Sequence, residues 1–163
     1  MRETATHIYF WGTFLSNWIP KDCNIIISDC NGTNRFYNSE QLFMYYKACF
    51  FEDNNSALNI IQYGMDPKTA KDLGRTVKHY DEIRWGRVRE EMMYNAIMHK
   101  FQSDPKLRQK LLDTGNKTLV EGTPFDPIWG VMIKWDDDRI LDEKNWKGQN
   151  LLGKVLMRVR AVI

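Results

Sequence analysis

The feature that most constrains the fold is a double row of apolar residues between positions 81 and 102. Its members recur at three- and four-residue intervals: Trp85, Val88, Met92 and Ala96 form one row, and Met93, Ile97 and Phe101 form the adjacent one. This spacing predicts one long helix whose apolar side faces a core. Other elements must cover that side, so the pattern favours a mainly helical fold.

Capping signals predict further helices on both sides of this segment. The signals are an Asn, Asp or Ser side chain before the first turn, proline in the first turn, and glycine after the last one. They predict five helices: one from Ser39 to about residue 52, one from Asn55 to Gly64, one from Asp66 to Gly74, one from Asp104 to Gly115, and one that starts at Asn150.

Strands are expected to be few and short. Candidate segments are residues 7–10, 25–28, 35–37 and 117–121, and the pair Asn31-Gly32 is typical of a hairpin turn. No low-complexity tract marks a boundary, and 163 residues are enough to bury one sizeable core. The sequence therefore predicts a single domain over residues 1–163, mainly α-helical with a few short strands (α+β).

Charge and residue usage exclude several classes of function. A net charge of +2 argues against a highly basic, non-specific binder of nucleic acid, although it permits recognition of one modified nucleotide. The three cysteines contain no CxxC pair and the three histidines are scattered, so no metal site is predicted. An odd number of cysteines is most simply explained by reduced thiols in a cytoplasmic protein, or in the host cytoplasm if a virus encodes the chain. Neither a signal peptide nor a membrane-spanning stretch is recognisable, so no membrane partner is expected.

Glu40 and Lys47 are the two side chains of the helix starting near residue 39 that can do chemistry. They are seven residues apart, so they share one side of the helix and lie about 10 Å apart along its axis. Phe43 lies between them, and a lysine beside aromatic rings is partly desolvated, which favours a nucleophilic amine. The structural alternative is a carboxylate that interacts with the helix dipole and a lysine stem that covers the edge of the core.

Two further segments contain candidate binding groups. Ser16 and Asn17 precede Trp18 in a predicted loop. This arrangement suits recognition of a planar heterocycle. The structural alternative is a loop that is only anchored by the indole of Trp18. Arg75 follows Gly74 at a predicted helix end, where it can clamp a phosphate or only interact with the helix dipole.

The segment 119–130 contains two carboxylates, Glu121 and Asp126, on either side of a turn, with Trp129 beside Gly130. Paired carboxylates and an aromatic platform fit cleavage of a sugar–base bond, in which one carboxylate stabilises charge and the other transfers a proton. Turn capping by Asp126 and burial of Trp129 are the structural alternative. Motifs for dinucleotides, nucleotide phosphates, serine hydrolases and HExxH metalloproteases are absent, so the residues alone predict a helical domain with an aromatic, carboxylate-containing pocket.

Six short motifs in order give the sequence a family resemblance. They are Ser16-Asn17-Trp18, Ser-Glu-Gln-x-x-Met-x-x-Lys-Ala over residues 39–48, Leu-Gly-Arg over residues 73–75, a tryptophan-led helix ending at Lys100-Phe101, Leu-x-Glu-Gly-Thr-Pro-x-Asp-x-x-Trp-Gly over residues 119–130, and Gly-x-Asn-x-Leu-Gly-x-x-Leu-Met over residues 148–157. Together they cover about residues 10–160. In this combination the chain resembles the NADAR family, also called YbiA-like.

The resemblance implies a compact YbiA-like fold and hydrolysis of an N-glycosidic bond in ADP-ribose or a related ribosyl compound. It implies Lys47 as the nucleophile that attacks the anomeric carbon and forms a transient Schiff base, with Glu40 assisting proton transfer. Asp126 or Glu121 would stabilise charge or orient the ribose. The implied substrate contacts are Ser16, Asn17, Arg75, Trp85, Trp129 and Gly130. This chemistry requires no metal and no cofactor.

The family resemblance implies more than one kind of substrate. Some members resemble antitoxins that remove ADP-ribose from guanine, so the leading hypothesis is an N-glycosidase acting on ADP-ribosylated nucleic acid, in an antitoxin or anti-defence role. Other members cleave ribosylamino intermediates of riboflavin synthesis, and a binding module for ADP-ribose or an NAD derivative is the non-enzymatic alternative. One departure concerns substrate choice: after Gly130 many members have a small hydrophobic residue and a second glycine, whereas this chain has Val131-Met132.

Overall fold

The computed structural model describes residues 1–163 as two compact units. Residues 17–107 form one unit, and residues 1–16 together with 108–163 form the other. The helices are α1 (Ser39–Phe50), α2 (Asn54–Tyr63), α3 (Pro67–Arg75), α4 (Glu82–Gln102), α5 (Pro105–Leu112) and α6 (Leu151–Arg160), and the strands are β1 (Arg2–Glu3), β2 (His7–Phe10), β3 (Ile25–Asp29), β4 (Gly32–Phe36) and β5 (Thr118–Glu121). The mainly helical α+β class is confirmed, whereas a single domain over the whole chain stays a prediction.

The longest helix confirms the prediction made from the apolar rows. α4 begins at Glu82, and the side chain of Asp81 accepts a hydrogen bond of 2.7 Å from the backbone N–H of Arg84, which caps its first turn. Met93 and Phe101 on its apolar side are fully buried. None of the six helices combines the length and the hydropathy that a membrane crossing requires.

α1 is the central element of the unit formed by residues 17–107. It packs against α2, α3 and α4, and it also contacts β4 of the antiparallel β3–β4 hairpin. Leu42 on α1, Ile60 on α2 and Met93 on α4 are fully buried. Three helices therefore fix the position of the helix that carries Glu40 and Lys47.

A three-stranded sheet organises the unit formed by residues 1–16 and 108–163. β2 is its middle strand, antiparallel to β1 and parallel to β5, with Phe10 opposite Glu121. α6 packs on β5. Parallel strands end at the same sheet edge, so Glu121 leaves the sheet beside Phe10. β1 has only two residues, too few to produce a sequence pattern, and it was not predicted.

α1 is capped by a different residue from the one predicted. The Oδ1 atom of Asn38 accepts the backbone N–H of Gln41 at 2.8 Å, so Asn38 and not Ser39 is the N-cap. The hydroxyl of Ser39 instead donates to Asn17 at 2.9 Å. The prediction was wrong because Asn and Ser are adjacent and both are good caps, and only tertiary contacts decide between them.

The N-terminus of α2 also differs from the prediction. Asp53 accepts the backbone N–H of Ser56 at 3.1 Å and caps the helix, whereas Asn55 lies inside the first turn. The carboxylate of Asp53 is the better cap because it also accepts the hydroxyl of Ser56 at 2.6 Å. Gly64 follows the last residue of α2, as predicted.

Gly74 lies inside α3 rather than after it. α3 is capped by Asp66, as predicted, but it continues to Arg75 and Thr76 follows as its C-cap. A Cβ atom on Gly74 would lie 2.1 Å from the Sδ atom of Met44 on α1. The prediction of a helix stop was wrong because this glycine is needed for the close approach of α3 to α1.

Asn150 and Met132 have left-handed backbone conformations, with φ angles of 52° and 64°. Asn150 precedes α6, but its side chain does not cap the helix: it accepts the N–H of Glu121 at 3.0 Å and donates to the carbonyl of Leu119 at 2.9 Å. The predicted capping role of its side chain was therefore wrong. The family resemblance implies a glycine at the position of Met132, and glycine adopts a left-handed backbone without the steric cost of a Cβ atom.

Candidate functional site

Lys47 is held between α1 and α3. Its Nζ atom donates a hydrogen bond of 2.8 Å to the carbonyl oxygen of Gly74 and lies 4.3 Å from the centre of the Tyr80 ring. The side chain is half-buried. Gly74 thus has two functions, since it permits the close approach of α3 and supplies the acceptor for the amine.

The surroundings of Lys47 favour its neutral amine. Burial lowers the pKa of Lys47, because an ammonium group loses hydration when it is partly buried. The carboxylates of Glu82 and Glu40 act in the opposite direction, while the cations of Arg75 and Lys71 lower the pKa further. The result is a pKa below the ordinary value of lysine, and an amine that loses its proton more readily is a better nucleophile near neutral pH.

Glu40 is a buried carboxylate in the first turn of α1, with 4% of its surface exposed. The partial positive charge of the helix N-terminus stabilises a carboxylate there. Its charge acts on the pKa of Lys47, so the structure brings the predicted pair into one electrostatic environment. Because the two residues are about 10 Å apart along the helix axis, a proton can pass between them only through a substrate group or water.

Tyr80 is a residue of this site that the sequence did not reveal. Its hydroxyl is hydrogen-bonded to the carboxylate of Glu82, which also accepts from Arg89 at 2.9 Å. Burial and the Glu82 hydrogen bond raise the pKa of Tyr80 to about 12, so the ring is a neutral phenol near neutral pH. Its face fixes the direction of the Lys47 amine. Tyr80 precedes α4 and belongs to no recognisable motif, so no sequence signal could have found it.

Asn17 connects the loop before β3 to α1. Its Oδ1 atom accepts from the hydroxyl of Ser39, and its Nδ2 atom lies 3.1 Å from the sulfur of Met93. Because Asn17 is only 5% exposed, these contacts give it a clear structural role, and its contact with substrate stays a prediction. The next residue, Trp18, is 40% exposed, and the Nζ atom of Lys71 lies 5.2 Å from the centre of its ring.

Arg75 is the last residue of α3 and not the first residue past its end, so the predicted position was wrong because the helix continues beyond Gly74. Its side chain is exposed, and its guanidinium group contacts Asp72 of the same helix at 3.3 Å. Lys71 lies one turn earlier and is half-buried. Both cations act on the pKa of Lys47, so this part of α3 presents positive charge that suits a phosphate.

Trp85 is buried in an aromatic cluster at the start of α4, with 5% of its surface exposed. Its ring centre lies 5.3 Å from that of Phe43, 6.0 Å from that of Phe50 and 6.2 Å from that of Phe51. These contacts give the indole a packing role that supports α1. A direct contact of Trp85 with substrate stays a prediction.

A cavity of about 450 Å³ lies on the solvent side of this aromatic cluster. It is lined by Phe50, Phe51, Glu52, His79 and Arg84. None of the predicted catalytic or binding residues lines this cavity.

Glu121 is the last residue of β5 and is 5% exposed. Its backbone N–H donates to Asn150, and its carbonyl oxygen accepts from the N–H groups of Thr123 and Val131, both at 3.1 Å. The backbone around Glu121 is therefore fixed on both sides. A catalytic role for its carboxylate stays a prediction.

Asp126 caps the turn that carries Trp129. One of its carboxylate oxygens accepts the backbone N–H groups of Ile128 and Trp129, each at 2.9 Å, which is the turn-capping alternative stated above. Trp129 is half-buried. A Cβ atom on Gly130 would lie 2.3 Å from the methyl group of Thr123, so glycine is needed for this close approach. The catalytic role of Asp126 and the substrate contacts of Trp129 and Gly130 stay predictions.

Ser16 closes a turn after β2. Its hydroxyl accepts the N–H of Thr13 at 3.3 Å, and its own N–H donates to the carbonyl of Thr13 at 2.8 Å. The residue is 2% exposed. Its hydroxyl thus has a structural function. The contact of Ser16 with substrate stays a prediction.

Comparison with known proteins finds relatives over nearly the whole chain. The NADAR domain family model matches residues 9–163. An N-glycosidase of Acanthamoeba polyphaga mimivirus is 32% identical over 97% of this chain and 96% of its own length. The chloroplastic riboflavin biosynthesis protein PYRR of Zea mays is 32% identical over 94% of this chain, but the match covers only 24% of that longer protein. The NMR structure of the E. coli protein YbiA matches with a TM-score of 0.73 and 28% identity, over 98% of this chain and 86% of that one.

Proposed function

The chain belongs to the NADAR domain family, and we propose that it is an N-glycosidase that removes ADP-ribose from modified guanine bases in nucleic acid. The mimivirus relative is named an N-glycosidase, which supports the reaction type. The observation that carries the proposal is the state of Lys47: a half-buried amine with a lowered pKa, positioned by the carbonyl of Gly74 and the ring of Tyr80. Removal of ADP-ribose from a base reverses the modification made by a toxin or a defence system.

In the proposed reaction the neutral Nζ atom of Lys47 attacks the anomeric carbon of the ribose. The glycosidic C–N bond breaks, and the base leaves with the electron pair of that bond and takes up a proton. Loss of a proton from Nζ and opening of the ribose ring then give a Schiff base between Lys47 and the sugar. Water adds to the Schiff-base carbon, and expulsion of the amine regenerates Lys47 and releases ADP-ribose.

Glu40 is proposed to move the protons of these steps. A carboxylate near a helix N-terminus can accept a proton from the attacking water. Its separation from Lys47 leaves room for a ribose or a water between them. Replacement by glutamine keeps the size of the side chain and removes the proton transfer.

Glu121 and Asp126 are proposed as the carboxylates that stabilise positive charge on the ribose as the glycosidic bond breaks. These roles follow from the family resemblance. One oxygen of Asp126 also accepts two backbone hydrogen bonds, so the melting temperature of Asp126→Asn separates its turn-capping role from a catalytic one. Glu121→Gln and Asp126→Asn are each expected to lose activity.

A second candidate function is hydrolysis of ribosylaminopyrimidine intermediates of riboflavin synthesis. It is favoured by the 32% identity to the maize riboflavin biosynthesis protein over 94% of this chain. Both candidates use the same attack by Lys47 and differ in the group attached to the ribose. The substrate, and not the reaction, therefore separates them.

The test is to incubate the purified full chain with an oligonucleotide carrying ADP-ribosyl-guanine and, separately, with a ribosylaminopyrimidine phosphate. Sugar release is followed by mass spectrometry. Release of ADP-ribose that is lost in Lys47→Ala and retained in Lys154→Ala, an exposed lysine on α6, supports the proposal. Release from the pyrimidine alone supports the second candidate. Binding of ADP-ribose by a folded protein without any turnover contradicts both and favours a binding module.

A further inference from the structure

Trp18 and Lys71 take no direct part in bond making or breaking at Lys47, yet their arrangement is suited to a ligand. Trp18 is 40% exposed, and the Nζ atom of Lys71 lies 5.2 Å from the centre of its ring. Lys71 forms no ion pair with a carboxylate. Its neighbour Lys68 on the same helix does, with Asp72 at 2.8 Å.

Lys71 and Arg75 belong to the helix whose Gly74 carbonyl accepts from the amine of Lys47. The amine of Lys47 contacts the carbonyl of Gly74, and Arg75 is the next residue of α3. Lys71 lies one turn nearer to the N-terminus, about 6 Å from Arg75 along the helix axis. Trp18 lies beside Lys71. Along α3 the two cations therefore flank Gly74, where the amine of Lys47 is held, and the ring of Trp18 lies beside one of them.

We propose that Trp18 and Lys71, together with Arg75, form a subsite for the adenine and the diphosphate of an ADP-ribosyl substrate whose ribose lies at Lys47. The face of an indole stacks on a purine base. The planar guanidinium group of Arg75 and the ammonium group of Lys71 pair with phosphate oxygens. The inference rests on the proposed function and deepens it, because it names residues that select an ADP-ribosyl group.

The subsite distinguishes the two candidate substrates by their chemistry. An ADP-ribosyl group has a second base and two phosphates beyond its reacting ribose, whereas a ribosylaminopyrimidine phosphate has one phosphate and no second base. Two cations followed by an exposed ring match the first arrangement. The second substrate has no second base that could stack on the ring of Trp18.

The test compares the full chain and its variants on two oligonucleotides. One carries ADP-ribosyl-guanine, and the other is the same material after a pyrophosphatase has removed AMP, which leaves phosphoribosyl-guanine. The wild type is expected to have a KM about tenfold lower for the ADP-ribosyl substrate, in line with the loss of one base–aromatic stack. Trp18→Leu should remove that preference and Trp18→Phe should restore most of it. Lys71→Gln should raise the KM for the ADP-ribosyl substrate, whereas the matched variant Lys68→Gln should not.

Calorimetric titration with ADP gives a readout that does not depend on turnover. Binding of ADP to the wild type and to Lys68→Gln, with at least tenfold weaker binding to Trp18→Leu, supports the subsite. This holds even if neither oligonucleotide is hydrolysed, because absence of hydrolysis would contradict only the proposed function. Equal KM values for the two oligonucleotides in the wild type, or equal ADP affinity in wild type and Trp18→Leu, would overturn the subsite while glycosidase activity stands. Melting temperatures of the variants check that each is folded.

Discussion

Replacement of Gly74 by alanine tests the contact that positions the Lys47 amine. Alanine is favoured over glycine inside a helix by about 1 kcal/mol. At Gly74 this gain is opposed, because the new Cβ atom would lie 2.1 Å from Sδ and 2.9 Å from Cγ of the buried side chain of Met44. Overpacking of this kind costs about 1–3 kcal/mol. Gly74→Ala is therefore expected to be neutral to destabilising, by up to about 2 kcal/mol.

Gly86→Ala is the matched control for Gly74→Ala. Gly86 is exposed in α4, and its new Cβ atom would meet only the guanidinium group of Arg89, at 3.9 Å. This variant should gain the full helix propensity, about 1 kcal/mol. The difference in free energy of unfolding between the two variants then isolates the packing cost, about 1–3 kcal/mol.

Urea denaturation and glycosidase assays measure the two consequences. We expect Gly74→Ala to unfold at lower urea concentration than Gly86→Ala and to lose kcat, because the shift of α3 away from α1 moves the carbonyl that accepts from Lys47. Equal stabilisation by both substitutions, with full activity in each, would refute the close contact at Gly74.

Three other substitutions test further parts of the structure. Asn150→Asp replaces the donor to the Leu119 carbonyl by an acceptor and should lower the free energy of unfolding by about 2–3 kcal/mol in urea denaturation. Met132→Gly should be neutral to about 1 kcal/mol more stable, since glycine avoids the left-handed strain, whereas Met132→Val should be less stable by at least about 1 kcal/mol. Arg75 lowers the pKa of Lys47, so Arg75→Gln should raise that pKa. The acidic limb of the kcat/KM–pH profile should then move to higher pH, because the neutral amine appears only there.

Each of these three predictions would be contradicted by a specific result. Stability of Asn150→Asp equal to that of the wild type would mean that the Leu119 contact contributes nothing. A large loss of stability in Met132→Gly would show that the contacts of the Met132 side chain contribute more free energy of unfolding than the relief of backbone strain does. A shift of the acidic limb to lower pH in Arg75→Gln would contradict the neutral amine of Lys47 as the reactive form.

The long helices could be predicted from sequence because their signals are local. The apolar rows of α4 and the cap Asp66 depend on residues within a few turns of one another. Where two good capping residues are adjacent, as at Asn38 and Ser39, local rules cannot rank them. The hydrogen bond of Ser39 to a residue distant in sequence decides.

The environment of the reactive lysine could be predicted only in part. The seven-residue spacing of Glu40 and Lys47 placed both on one side of α1, and the aromatic residue between them indicated a lowered pKa, in agreement with the structure. Glycine after a periodic segment usually ends a helix, so local rules predict a helix stop at Gly74. Its real function depends on Met44, thirty residues away in another helix, and Tyr80 reaches the amine from a segment without any pattern.

Trapping of the Schiff base tests the central claim most directly. The full chain is mixed with guanine-ADP-ribosylated DNA in the presence of borohydride, which reduces a Schiff base to a stable amine, and the modified residue is located by peptide mass spectrometry. The account predicts an ADP-ribosyl adduct on Lys47 that is absent from Lys47→Ala and from samples without borohydride. Release of ADP-ribose with no adduct on Lys47, or an adduct on another residue, would contradict Lys47 as the nucleophile.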